Sequence, residues 1–568
     1  MDSTRFAPST CLALSFLCLA ASLPAQQITR SQLRESQVAA LNGELSAPAA
    51  AANPTRLRLL LGQRAALLSD LIALNPARAL ALSLPQEVSE RLRPNAPGGT
   101  LEEQGEWQGT AEAIVADGVE FRSSVTRWYL RTPQRERLEM YFAGEAPTTP
   151  NVAVTVRGMR SANRVAVAET AIVASPDGLQ CSTKGVQNIA VLMVTRPSVT
   201  AFPSGFTAPY FQQLFFGPST GSLTTDSVNS YWQEASYGQT SAAGQVFGPI
   251  ALAQDYDCDH LGDMETAVLN AASSTVDFTR FTRVALMFPV QDCTLSGFGG
   301  LGGLGTIGCT TVAVPSQGDV TLSTVWLPIY TYQETWDYVG VSAHELGHNL
   351  GLNHDSTEDY GAVPLGALSD AGTLVEYGSA YSVMGGTWGQ SNGQPILGQY
   401  AAEHKHILNW LAPGDYQEVT STGVFSLLPY EAQSGLRALR VLRDQASGAW
   451  LWVEYRQPIG DVDTSLGLIG GPNGEPANVF NGALIHYENP NLDALHMYLL
   501  DFNPVSTPNQ YYNAALEPGQ SWQDPYSPLS LTVTGATSSA LSISVSYTPS
   551  CSSIQLLSAF IPAAGGNG

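Results

Sequence analysis

The apolar positions of this chain change their spacing from one region to the next. Across residues 28–95, Leu57, Leu59 to Leu61, Leu67 and Leu68, Leu71 and Ile72, and Leu80 recur three or four residues apart, the spacing of one helix face. Pro76, Pro85 and Pro94 punctuate this run, and Ala47–Pro54 reads as a loose linker. From about Gly105 the pattern is that of short strands. Ala111–Ile114, Trp128–Arg131, Leu138–Phe142 and Val152–Arg157, with turns between, predict a small β-barrel or sandwich ending near Ser175. No chemical constellation occurs in this region, and a propeptide, an inhibitory domain and a binding module all fit it.

Continuous apolar runs follow. Val186–Val194 and Val284–Phe288 predict buried strands, and Thr224–Ala235 and Met264–Ala272 predict helices. Gly297–Gly308 is glycine-rich but lacks the Gly-Lys-Ser/Thr that ends a phosphate loop, so it reads as a flexible hairpin or cleft-rim loop. Tyr332–Leu350 predicts a long helix. Beyond residue 416, Val424–Leu428, Ala438–Leu442, Trp450–Tyr455, Ala483–Tyr487, Leu529–Val533 and Leu541–Tyr547 form a β-sandwich pattern, and 549–568 reads as a tail.

Composition narrows the setting. The 568 residues have room for three or four cores. Charged residues make up 13%, the net charge is −23, and Lys184 and Lys405 are the only lysines. With no basic patch or run, nucleic acid is not expected as a partner. Arg5, the apolar Cys11–Ala21 and Ser22-Leu-Pro-Ala25 before Gln26 read as a secretory signal over 1–25. That run is too short to cross a bilayer and no later one reaches about twenty apolar residues. Phe16-Leu17 before Cys18 also lacks the small residues of a lipid-attachment site, so a secreted protein without membrane anchor is expected. In an oxidising compartment most of Cys181, Cys258, Cys293, Cys309 and Cys551 should pair, with at least one left over. Cys293–Cys309 is the first pairing expected, since the two flank the glycine-rich loop.

The chemistry concentrates in His344-Glu345-x-x-His348-x-x-Gly351-x-x-His354. On a helix, His344 and His348 stand one turn apart on one face. Gly351 can adopt the left-handed conformation that ends a helix and turns the chain so that His354 supplies a third imidazole. Three neutral nitrogens leave a fourth position open for water, the mark of a catalytic zinc site, with Glu345 placed as general base. Downstream, Tyr381-Ser-Val-Met384-Gly-Gly386 matches the methionine turn beneath the zinc of metzincins. Some metzincins carry a tyrosine two residues after that methionine; Gly386 stands there, so no accessory tyrosine is predicted at that position.

His344–His354, Ser382-Val-Met-Gly385 and Ala401-Ala-Glu-His-Lys-His-Ile-Leu-Asn-Trp-Leu411 together resemble the gametolysin-type metallopeptidases, a metzincin branch. Val453–Arg456 and Gly482–His486 resemble the β-rich segment that often follows that catalytic domain. The resemblance covers roughly 186–545. It implies a multidomain chain with an α+β catalytic domain over 186–415, a mixed twisted sheet with a long zinc-site helix. A helical segment (26–100) and a small β domain (101–180) precede it, and the β-sandwich (416–548) follows. It implies a zinc endopeptidase whose ligands are His344, His348 and His354, whose general base is Glu345, and whose substrate is a protein or peptide. An extracellular-matrix or cell-wall target also fits. A secreted adhesive or glycan-binding protein with an inactive zinc site is the alternative, against which the intact Glu345 argues.

Weaker candidates surround this core. Asp355 is either a partner that orients a histidine or a solvated acid. Cys181 is either a latency thiol for the open zinc position or half of a disulfide to Cys258, the favoured reading. Asp255-x-Asp257-x-Asp259 begins like a calcium loop, but His260 replaces the glycine and Thr266 the bidentate glutamate, so helix capping is preferred. His404 and His406 are expected to pack or face solvent, His486 and His496 to be structural or surface residues, and His260 has no assigned role.

Overall fold

The structure is a computed structural model that describes residues 29–547 apart from 120–122, 174–180, 222–225, 296–298, 331–337, 387–388, 392–393, 472–474, 491–492 and 505–510. The signal segment, the tail, Cys551 and the start of the helix expected from Tyr332 lie outside the described residues.

Contacts divide the chain into two units. The first comprises the residues up to Gln104 with Tyr141–Ala143 and Gly158–Ala168. It holds α1 (Arg30–Ser46), α2 (Pro54–Leu74), α3 (Pro76–Ala81) and α4 (Gln86–Leu92). Asparagine followed by proline starts both α2 and α3, the Asn53 and Asn75 side chains accepting from Arg56 N–H and Arg78 N–H. The buried face of α2 carries Leu57, Leu60, Leu61, Leu68, Leu71 and Ile72. Arg64, also buried there, donates to both carboxylate oxygens of Glu102 at 2.5 and 2.8 Å, which offsets the desolvation of both charges.

The second unit comprises the remainder. Its first sheet is built around β1 (Glu103–Gly118), β2 (Ser124–Arg131), β6 (Gly185–Thr195), β7 (Thr240–Ala251), β8 (Arg283–Val290), β10 (Gly299–Thr306) and β12 (Gly318–Tyr330). β3 (Arg137–Phe142), β4 (Val152–Ser161) and β5 (Arg164–Ile172) have residues in both units, and β9 (Thr294–Leu295) and β11 (Thr310–Val314) pair with β10 and β12. β7, β6, β8 and β12 are mutually parallel neighbours in that order; β10 runs antiparallel beside β12, and β1 antiparallel beside β10. β6 and β8, inside the parallel set, are buried on both faces over most of their length, which is why they read as apolar runs, whereas β7, at the end of the strand order, is largely half-buried or exposed. Ile189, Val191 and Met193 of β6 pack toward α5 (Ala208–Phe216), α6 (Val228–Ala235) and α8 (Tyr338–Asn349), whereas Ala190, Leu192 and Val194 pack toward α7 (Leu261–Ala272).

The described part of the glycine-rich stretch, expected as a flexible hairpin or cleft-rim loop, is the strand β10, which pairs antiparallel with β9 and with β1. A Cβ on Gly303 would lie 2.0 Å from Glu345 Oε1, so glycine is what lets β10 lie directly on α8. Arg283, wholly buried on β8, donates to Asn349 O at the C-terminal end of α8 (2.7 Å) and to Gln187 and Ser323. Its partners are all neutral, and burial pushes it down to about 10.

The second sheet runs β14 (Thr373–Val375), β13 (Asp355–Asp359), β22 (Asp493–Leu499), β21 (Leu484–Asn489), β20 (Ala449–Glu454), β19 (Ala438–Asp444), β17 (Tyr416–Val419). A short hairpin of β15 (Gly389–Ser391) and β16 (Gln394–Ile396) and helix α9 (Ala402–Ile407) lie between them in sequence. A four-stranded sheet of β18 (Gly423–Leu427), β25 (Ala540–Tyr547), β24 (Leu529–Thr537) and β23 (Ser521–Gln523) shares its core, which includes Leu439, Val453, Ile485, Leu531 and Ile543. β13, directly after His354, lies parallel to β22, so the third histidine leads straight into this sheet.

The cysteines pair as Cys181–Cys309 and Cys258–Cys293. Neither expected pairing, Cys293–Cys309 or Cys181–Cys258, forms. β9 and β10 pair antiparallel, so that Leu301 N–H donates to Cys293 O at 2.8 Å, and β10 then carries the chain away from Cys293 toward Cys309 by about 3.3 Å per strand residue.

Candidate metal centre

His344 and His348 project from α8, and Gly351, at φ +103°, ends the helix and turns the chain to His354. All three imidazoles are buried, with ring centroids 4.9–5.3 Å apart. Each Nδ1 is held from behind: by Val383 O at 2.7 Å for His344, Leu352 O at 2.8 Å for His348, and Glu376 Oε1 at 2.5 Å for His354. A proton on each Nδ1 leaves the Nε2 lone pair for a metal, and the three Nε2 atoms converge on one point. This donor set fits zinc.

The methionine turn lies beneath. Gly385 N–H donates to Ser382 O, Gly386 N–H to Ser379 O, and Asp355 N–H to Met384 O, at 2.8–2.9 Å. The turn thereby fixes Val383 O, which orients His344. Met384 is buried, and a Cβ on Gly347 would lie 2.4 Å from its sulfur, so the turn packs against the underside of α8. Glu345 is fully buried beside the histidines. Burial first, and then the nearby Asp117 carboxylate, pushes its carboxyl well above the usual range.

Three residues of this centre have no counterpart in the sequence motif. Asp117, at the end of β1, places Oδ2 3.3 Å from His344 Nε2 and 3.5 Å from His348 Nε2, and Oδ1 3.1 Å from His354 Nε2. Tyr377 donates its hydroxyl to Asp117 Oδ1 at 2.5 Å, and its ring lies 4.2 Å from that of His354. Glu376 is the third. Burial, joined by the neighbouring His354 and His344 and opposed by Asp117, pushes His348 down to about 4. At His354 burial acts the same way, but Asp117 and Glu376 on either side outweigh it and hold the imidazole up at about 9. Glu376 and Tyr377 precede the methionine turn closely enough that their proximity to it is a usable signal. Asp117 offers none, since nothing marks it apart from the apolar run that it ends.

Other candidates fall elsewhere. The Asp355 carboxylate lies 3.5 Å from His486 Nε2, and the acid in contact with His354 Nδ1 is Glu376. His486 is a buried residue of β21, with burial opposed by Asp355, which raises it. Cys181, bridged to Cys309, has no thiol to offer a metal. Asp255 accepts from Ser198, Asp257 caps the turn before α7, and Asp259 pairs with Arg127 at 2.8 Å, so each acid has its own protein partner. His404 is buried and pushed down to about 4 by that burial. His406 packs on Tyr416 and Trp452, and His260 contacts Asp257. The His496 side chain lies outside the described residues.

Residues 222–396 match the family model Reprolysin_5, described as Metallo-peptidase family M12. No curated protein matches the chain. The matched stretch contains every residue of the centre except Asp117. Together the match and the histidine cluster support a zinc-dependent metallopeptidase of the metzincin type.

The Glu376 contact predicts a measurable effect. Glu376→Gln replaces a charged acceptor with a neutral one behind His354, and zinc affinity is expected to fall roughly 10- to 100-fold. Competition against a chromogenic chelator measures this; an unchanged affinity removes Glu376 from the site.

Proposed function

We propose that this chain is a secreted, gametolysin-like zinc endopeptidase that hydrolyses peptide bonds with Glu345 as general base. The observation that carries the reading is the clustering of three buried imidazoles, two from α8 and one from the chain just beyond it, beside Glu345 of α8. Zinc held by His344, His348 and His354 would polarise a peptide carbonyl and make a water acidic enough to react near neutral pH. Glu345 takes the proton of the attacking water and returns it to the leaving amine. Burial strengthens its hold on a proton, which moves a carboxylate toward the affinity a base needs at that pH. Val383 O, Leu352 O and Glu376 hold the imidazoles in one tautomer, and Met384 supports α8 from below.

The gametolysin-like part of the reading rests on Ser382–Gly385 and on α9 with the Trp410-Leu411 that follows it. Secretion rests on the apolar N-terminal sequence and is compatible with the two disulfides. A peptide-library digest by the matured protein tests the function. Cleavage is expected to stop with a zinc chelator and return with added zinc. Cleavage indifferent to the chelator would overturn the reading.

A further inference from the structure

The carboxylate at the heart of the histidine cluster comes from a strand that the catalytic motif does not include. β1 is buried from Ala111 through Asp117 and pairs antiparallel with β10, with Asp117 opposite Gly303. The register shifts between Asp117 and Gly118, and such a bulge re-aims the side chain beside it. Gly303 is also the residue that lies against Glu345. The strand thus delivers one carboxylate to the point where the three imidazoles converge.

The separations say what kind of contact this is. Charge-assisted hydrogen bonds between nitrogen and a carboxylate run about 2.7–2.9 Å. Asp117 instead stands 3.1–3.5 Å from the three Nε2 atoms. Ligand atoms about 2.1 Å from one tetrahedral ion lie about 3.4 Å from each other. The carboxylate therefore stands from each nitrogen as one ligand of a shared ion stands from another, and the four ligand atoms lie within 4.8 Å of one another. Among the described residues they form the one group of this kind. Tyr377 holds Asp117 in place from the other side. Its backbone sits at φ +56°, strained for a tyrosine, as is tolerated where the surroundings over-determine a functional position.

We propose that Asp117 is the fourth ligand of the zinc site, supplied by the chain's own β1, and that it holds the protein latent until β1 leaves β10. The catalytic consequence rests on the peptidase reading above; the coordination does not. Cys181 cannot serve instead, because it is bonded to Cys309. A substrate carbonyl and a water both need the position that Asp117 takes, so latency follows from occupancy.

The test uses the full-length chain loaded with cobalt(II), as wild type, Asp117→Ala and Asp117→Asn, titrated with acetohydroxamate and followed by its visible spectrum. The asparagine variant keeps the side-chain volume and serves if alanine disturbs folding. Wild type is expected to bind the probe at least 100-fold more weakly than Asp117→Ala, with Asp117→Asn between them, and each replacement to change the cobalt spectrum before any probe is added. Peptide cleavage by the unprocessed variants but not by unprocessed wild type is the second expected result. Equal probe binding and identical spectra across the three proteins would overturn the proposal. Probe binding that opens on replacing Asp117, without cleavage of any peptide, would uphold the coordination and overturn the peptidase reading instead.

Discussion

The Glu345→Gln variant of the matured protein is expected to retain zinc at wild-type stoichiometry and to lose about three orders of magnitude in kcat/KM. Glutamine matches the glutamate in volume, so it fits the space under Gly303 that admits no extra atom. The three histidines keep their backing contacts at Val383 O, Leu352 O and Glu376, none of which involves Glu345. What disappears is a side chain able to take a proton from water and pass it on, an effect worth roughly 10²- to 10⁴-fold. Metal content by atomic absorption and kcat/KM on one peptide separate the two outcomes. Activity within tenfold of wild type, with zinc bound, would remove Glu345 from the chemistry.

The second large effect concerns stability. Arg456 is wholly buried and lies between two buried carboxylates, 2.8 Å from Glu454 Oε1 and 3.1 Å from Asp463 Oδ2. The same acids accept from the backbone, Glu454 from Ala402 N–H and Asp463 from Gln399 N–H. Arg456 also donates to Tyr381 O, at the start of the methionine turn, at 3.3 Å. It therefore ties β20, the entry to α9 and the floor of the metal centre together. Arg456→Met fills a similar space but leaves both acids without their cation, and is expected to cost about 3–5 kcal/mol of folding stability. Urea unfolding measures it, and a loss below about 1 kcal/mol would show that the acids find other compensation.

Much of the candidate metal centre is a local matter. His344 and His348 share a face because a helix repeats every 3.6 residues, and Gly351 can end that helix because it has no Cβ. Spacing alone was enough to bring these residues together, whereas Met384 meets them through distant contacts, its carbonyl accepting from Asp355 N–H and its sulfur packing against Gly347 of α8. The buried strands β6 and β8 were legible for a similar reason, since a strand covered on both faces has no polar alternation.

Other features depended on pairings between distant segments. Gly299–Thr306 has the composition of a loop, and it is a strand because it pairs with β1 and β12, with glycine at 303 where α8 leaves no room for a side chain. The disulfides followed the extension of that strand instead of the nearness of Cys293 and Cys309 in sequence. Asp355 stood next to a ligand in the chain, yet its side chain turned to His486, and Glu376 reached His354 from the segment before the methionine turn.

The spacing from His344 to His354, with Glu345, was readable in the amino-acid order, because helix period and a left-handed glycine act over a few residues. Asp117 was settled only by the folded chain. It lies 260 residues before Tyr377, which holds it, and reaches the metal centre through a strand pairing and a bulge. Strand pairing is set by which edges meet in space, and that information is not written in any short stretch of sequence.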